Sequence, residues 1–203
     1  MKRAPVIDDL VLELSRLPSV GPKSATRLAY HLLSADKQQT LDLAEALSML
    51  AASVTACPVC FNFAQDDNLC VICSDPRREA TQLCVVEAPT DIPAVEGAGF
   101  RGLFHVLGGS LDLIAGVTED DLSFRELAQR AGDSSEITEV IIATNGNTSG
   151  DATAFAITRI LAEDPQVSVT VSRLACGLPY GSDIDHADEV TMTRAFAGRV
   201  ICD

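Results

Sequence analysis

Apolar residues recur at helical spacing over the first quarter of the chain and later condense into short unbroken runs, so the period of the pattern divides the sequence in two. Residues 6–16 read as an amphipathic helix, Pro18-Ser19-Val20-Gly21-Pro22 as a tight turn, and residues 23–33 as a second helix carrying Ala25, Leu28, Ala29 and Leu32 on one side. A third helix, capped by Ser34 or Asp36 and rich in Leu and Ala, runs to about Thr55. Beyond residue 80 the apolar runs 83–86, 103–107, 140–143 and 167–171 suit strands buried on both faces. Helix-like stretches near 90–98, 122–131 and 151–163 lie between them, which predicts an α/β unit whose mostly parallel sheet is covered by helices.

Two paired cysteines occupy the segment between these regions. Cys57 and Cys60 are followed, after nine residues, by Cys70 and Cys73, and each pair sets two thiolates on one tight turn. Pro58 stiffens the first turn, and Asp66-Asp67-Asn68 reads as a loop tip. Four sulfurs close a tetrahedral ion with no position left for water, so the expectation is one structural zinc that orders a segment too short to own a core, with a redox dithiol or an iron–sulfur cluster as the alternatives. Cys84, Cys176 and Cys202 complete the odd total of seven and read as buried thiols. An odd cysteine count and paired thiolates fit a reducing, cytosolic setting better than a disulfide framework. Asp8, Asp9 and Glu13 interrupt any leader-like stretch, and no run approaches a membrane span.

Charge changes the picture at the N-terminal end. The formal net charge is −14, which opposes a uniform coat on nucleic acid, yet residues 1–56 carry six Lys/Arg against six Asp/Glu while residues 81–203 carry seven against nineteen. Any DNA contact therefore belongs to the helical head. There Leu17-Pro18-Ser19-Val20-Gly21-Pro22-Lys23-Ser24-Ala25 resembles the helix-hairpin-helix DNA-binding motif. Gly21 admits a phosphate close to the backbone, the second helix offers free N–H groups, and Lys23 and Arg27 add positive charge one turn apart. Such contacts ignore base sequence. A Walker-type phosphate loop is excluded, because no first glycine stands at the motif's spacing before Lys23-Ser24 and no strand leads in.

Gly97-Ala98-Gly99-Phe100-Arg101-Gly102 matches the dinucleotide fingerprint in letters only, since it follows a helix and leads into a strand. It reads as a turn. His31, His105 and His186 have no metal-like spacing and read as core or surface histidines. Glu87 ends the first run, Asp91 follows one turn later, and Asn145-Gly146-Asn147-Thr148-Ser149-Gly150-Asp151 follows the third. This arrangement resembles the Toprim domain of topoisomerases and primases, where a strand-terminal Glu and a later acidic cluster bind magnesium. Asn145, Asn147 and Ser149 stand where the enzymes carry carboxylates, and neutral amides do not supply the charge that strips magnesium of its water. Glu87, Asp91 and Asp151 remain as a weak metal or partner site, with helix capping as the structural alternative.

Helix-hairpin-helix, four cysteines and a degenerate Toprim domain, in that order, together resemble the RecR family of bacterial recombination mediators. Val85-Val86-Glu87-Ala88-Pro89-Thr90-Asp91, Phe104-His105-Val106-Leu107-Gly108-Gly109 and the tail from Arg173 through Arg199 carry the same resemblance, while Ser149-Gly150-Asp151 departs from the family's usual Glu-Gly-Glu. The expected organisation is a helix-hairpin-helix unit over 1–56, a zinc module over 57–79, a Toprim domain over 80–175 and a C-terminal tail over 176–203 that completes the fold or contacts another copy. The resemblance implies no catalytic turnover. It implies binding to single- and double-stranded DNA, partnership with RecO and RecF, loading of RecA at gaps, and a homo-oligomer, either a tetrameric ring or a dimer. The competing classes are a magnesium-dependent primase, nuclease or topoisomerase-like enzyme centred on Glu87, and a zinc-stabilised adaptor that binds only proteins.

Overall fold

A computed structural model describes residues 4–201, which fall into two compact units, one ending at Val54 and one beginning at Thr55. Cys202 lies outside the described residues. The first unit is helical: α1 (Pro5–Ser15), α2 (Pro22–Ser34) and α3 (Lys37–Ser53). Prolines at the starts of α1 and α2 cost no hydrogen bond there, and Asp36 caps α3 by accepting from the Gln38 N–H at 3.3 Å, so of the two candidate caps Asp36 serves. Ala25 and Ala29 are the buried positions of α2, small enough to let a neighbouring helix approach closely. Leu41, Leu43, Leu47, Met49 and Leu50 of α3 are exposed.

The second unit begins with two short paired strands, β1 (Val54–Ala56) and β2 (Phe63–Gln65), which the apolar pattern did not announce. A four-stranded parallel sheet follows in the order β4-β3-β5-β6, built from β3 (Glu79–Val86), β4 (Gly102–Val106), β5 (Glu139–Ala143) and β6 (Thr170–Arg173). Helices α4 (Ile92–Gly97), α5 (Phe124–Asp133) and α6 (Thr148–Glu163) connect the strands, and α7 (Glu189–Ala197) lies in the tail, where no helix was expected. Among the described residues no helix is long and apolar enough to cross a membrane.

Strand β3 explains why the sequence shows an unbroken apolar run. Leu83 and Val85 join Val140 and Ile142 in a core with Leu127 of α5 and Ile157 of α6, whereas Cys84 and Val86 join Phe104, Val106 and Ile92 in a second core on the other side. Alternate side chains face opposite ways, so a strand packed on both sides has no polar face to show. The second core also contains Cys57, Cys60, Ala64, Cys70 and Ile72. The cysteine segment is thus a cover for the sheet, sharing that side with α4.

Two differences from the expected elements have local causes. The last strand starts at Thr170, three residues after the predicted start: a turn at Asp164 accepts the Val167 N–H at 3.1 Å, and Val167 and Val169 pack on the core before sheet pairing begins at Glu139–Thr170. Helix α6 starts at Thr148 because the Asn147 side chain accepts the Gly150 N–H at 2.8 Å. The glycine fingerprint behaves as a turn, as its context required. Gly97 closes α4, Gly99 adopts φ +96°, and Gly102 opens β4 where a Cβ would lie 2.7 Å from the Gln82 carbonyl oxygen.

Candidate metal centre and nucleic-acid interface

The sulfurs of Cys57, Cys60, Cys70 and Cys73 all lie within 4.8 Å of one another, with Cys60 Sγ and Cys70 Sγ 3.4 Å apart. Four sulfurs around one ion at the usual bond length stand about 3.8 Å apart, so the group has the dimensions of a tetrahedral centre. Cys57, Cys60 and Cys70 are buried, and backbone N–H groups are aimed at sulfur: Cys70 N–H at Cys57 Sγ and Cys73 N–H at Cys70 Sγ, each 3.5 Å. Electrostatics fits the same use. Burial opposes ionisation of Cys57, but the N–H groups of Cys70, Val59 and Cys60 outweigh it and bring its pKa down to about 7. Cys60, sharing a hydrogen bond with Cys73 and buried, is pushed far up, and burial raises Cys70 as well. Packed this closely, the thiols resist becoming anions together; a divalent cation removes that cost. Cys84, outside the group, is buried and its pKa rises to about 12, which makes it an inert core thiol. Cys176 departs from expectation: it is only partly buried, its Sγ 3.7 Å from the Leu174 carbonyl oxygen.

The knuckle also closes the outer edge of the sheet. β4 is an edge strand, and its outward N–H and carbonyl groups are at Val106 and Phe104. Val106 N–H donates to the Cys60 carbonyl at 2.8 Å, and Arg130 Nη1 of α5 donates to the Phe104 carbonyl at 2.7 Å and to the Val59 carbonyl at 3.3 Å. His105, between these two positions, is fully buried; its ring meets Phe61 edge-on at 5.3 Å and its Nε2 lies 2.9 Å from Ser123 Oγ. Burial lowers its pKa to about 4, so it is a neutral core residue at physiological pH. Arg130 and His105 brace the centre through contacts that no local spacing announces. His31 and His186 are exposed, the latter 3.7 Å from Asp185 in a solvent-facing group with Asp183.

At the carboxyl ends of the strands the predicted acids are engaged separately. Glu87, 8% exposed, is clasped by Asn145, whose N–H reaches Oε1 at 2.8 Å and whose Nδ2 reaches Oε2 at 2.6 Å. Asp91 Oδ2 accepts the Ala88 N–H at 2.9 Å. Asp151 pairs with Arg173 of β6 at 2.8 Å and with Arg194 of α7, and the Arg173 hydrogen bond holds its carboxyl below the usual range. Among the described residues these three acids form no group within ligand reach of one ion; the metal-sized groupings are the four cysteines and the exposed Asp183, Asp185 and His186. Arg173, at the end of β6, and Arg194, in the tail, were missed in the sequence because neither position carries a periodic cue to what it touches.

In the helical unit, the Val20 N–H donates to the Leu17 carbonyl at 3.1 Å, Ser19 takes the left-handed conformation at φ +65°, and Gly21 is the N-cap of α2. Nothing lies within 4 Å of where a Gly21 Cβ would stand, so the backbone here is open to a ligand. No side chain caps α2, which leaves the first-turn N–H groups of Lys23 and Ser24 facing outward. Lys23 and Arg27 are exposed and, among the described residues, neither is in an ion pair.

Comparison with known proteins finds family matches in three regions of the chain. The helix-hairpin-helix of RecR matches residues 7–50, the Toprim domain residues 81–173 and the C-terminal region of RecR residues 177–200. Proteins named Recombination protein RecR are similar over nearly their full lengths: that of Frankia casuarinae is 50% identical over 195 residues, covering 96% of both chains. That of Nocardioides sp. is 51% identical over 195 residues, again 96% of both, and that of Streptomyces avermitilis 48% over 199 residues, 98% of both. With half of its residues shared along almost the whole chain, this protein belongs to the RecR family of recombination proteins.

Proposed function

We propose that this chain is a recombination mediator in DNA repair. It binds single- and double-stranded DNA without regard to sequence through Gly21, Lys23 and Arg27, and acts with RecO and RecF to promote RecA loading on single-stranded gaps in the bacterial cytoplasm. The observation that carries the reading is the pair Lys23 and Arg27, exposed and, among the described residues, without acidic partners, beside an uncapped helix start in a chain of net charge −14. The ion of the cysteine centre is zinc and its role is structural: four thiolates leave no open position for substrate. The protein performs no turnover. In support, Glu87 is occupied by Asn145 and Asp151 by two arginines, so neither is free to assemble a magnesium site with Asp91.

Self-association gathers the cationic patches of several copies along one strand, which offsets the acidic bulk. The exposed leucines of α3, and Tyr180, Val190 and Phe196 in the tail, provide apolar surface for such contacts, in a ring or a dimer. The same reading divides the chain at residues 56, 79 and 175 into hairpin unit, zinc module, Toprim domain and tail. Binding of labelled oligo-dT against salt concentration tests the DNA path. In Lys23→Glu/Arg27→Glu the slope of log K on log salt should fall by about 1.4 per chain engaged, with affinity down more than about tenfold. An unchanged slope refutes the assignment.

A further inference from the structure

Between β4 and α5 the chain forms a short hairpin-like loop whose tip is apolar. Asp112 and Val117 exchange both backbone hydrogen bonds, at 3.2 and 2.8 Å, and the Asp112 carboxylate accepts the N–H groups of Ile114 and Ala115 at 2.9 and 3.0 Å. Gly116, at φ +79°, turns the chain back. The base is fixed in the core: Leu111 and Val117 pack against it, and the Leu111 N–H donates to Oγ1 of the fully buried Thr153 at 2.9 Å. This ordered frame holds Leu113 at 86% and Ile114 at 102% exposure. A folded loop that displays two aliphatic side chains to water gains nothing from them in the isolated chain.

Beside the tip lies an open cleft of about 690 Å³, lined by Leu111, Leu113, Ile114 and Ala152 and by Thr148 and Ser149 at the start of α6. Its rim is acidic. Asp112, Glu119 and Asp120 line it; Glu119 is paired with Arg159 at 2.5 Å, while the exposed Asp120 has no partner among the described residues. We propose that this cleft is a docking surface for a segment of a partner protein that carries aliphatic side chains between lysines or arginines. The aliphatics seat against Leu113 and Ile114, and the cations face Asp120 and Asp112. Charge selects this occupant. DNA would set phosphates against the acidic rim, and a second copy docked face to face would set one acidic rim against another. The surface uses none of the DNA-binding residues, so it is tested separately from the mediator reading.

The full-length, metal-loaded protein is titrated with a fluorescent amphipathic Lys/Leu peptide, with the same peptide carrying Glu for Lys, and with oligo-dT; native mass is recorded alongside. Leu113→Ser/Ile114→Ser should weaken the Lys/Leu peptide by at least about tenfold, and Asp120→Lys should weaken it too, with oligo-dT binding and mass unchanged. Equal binding to wild type and both variants, or equal binding of the Glu/Leu peptide, overturns the proposal. So does a double variant whose chief effect is a change of mass, which marks a contact between copies, or a loss of oligo-dT affinity, which marks a DNA surface. Asp120→Lys alone decides the matter should the double variant fail to fold.

Discussion

Replacing Arg130 with methionine keeps most of the apolar stem and removes the guanidinium that reaches over the edge of β4. Two hydrogen bonds go: a short one to the Phe104 carbonyl at 2.7 Å, partly buried, and a longer, more exposed one to the Val59 carbonyl at 3.3 Å. A bond from a charged donor contributes about 1.5–3 kcal/mol net, and the exposed one sits well below that range, so the loss should be about 2–3 kcal/mol. For a chain of this size each kcal/mol moves the melting midpoint by about 2–4 °C, which predicts a fall of roughly 5–10 °C in the sheet unit's transition. Calorimetry measures it. Because Val59 lies between Cys57 and Cys60, the same variant should surrender its metal to a competing chelator faster than wild type. A midpoint within about 1 °C of wild type, together with an unchanged rate of metal release, would refute the idea that Arg130 clamps the knuckle to the sheet.

Three further outcomes follow from the same geometry. His105 is held neutral by burial with its pKa lowered to about 4, so the unfolded chain takes up a proton first as pH falls. Its contribution is complete above the unfolded value near 6.5 and is lost on acidification towards the folded value, a span of about 3 kcal/mol; urea titrations at falling pH should show a flatter profile for His105→Asn, and parallel profiles would sink the argument. Gly150→Ala places a methyl 2.0 Å from the Asn145 carbonyl oxygen, and the overpacking should cost about 1–3 kcal/mol while disturbing the clasp on Glu87; a melting point equal to wild type would show that the loop yields freely. Stripping the metal should lower the melting transition and release four protected thiols to a thiol reagent. Equal thiol counts before and after chelation would mean that the cysteines held no ion.

The parts of the molecule legible in the sequence are those written in local spacing. The paired cysteines, the Pro-Ser-Val-Gly-Pro turn and the run at Leu83, Cys84, Val85 and Val86 each follow from contacts within a few residues or from a face buried on both sides. Misplaced or missed were features set by distant partners. Val167 and Val169 have strand-like composition but pack on the core ahead of the paired segment, since register is fixed by Glu139 on another strand. Arg130, Arg173 and Arg194 carry no signal in the sequence until their partners, tens of residues away along the chain, are in view. The acids at the strand ends were recognised as a set by type. What the sequence pattern could not say is that each had already been claimed: Glu87 by an amide, Asp91 by a backbone N–H, Asp151 by two guanidinium groups.

Cys60 is both a candidate metal ligand and, through its carbonyl, the acceptor for the outward N–H of Val106. An uncovered edge strand is a template on which another chain can pair. The cysteine turn therefore joins two tasks in one residue: loss of an ion held by Cys60 is expected to loosen the cover on the flank of β4 as well. Cells starved of the ion, or oxidised enough to couple these thiols, would accumulate clumped protein instead of a loosened but soluble form, and supply of the metal would govern how much protein survives synthesis.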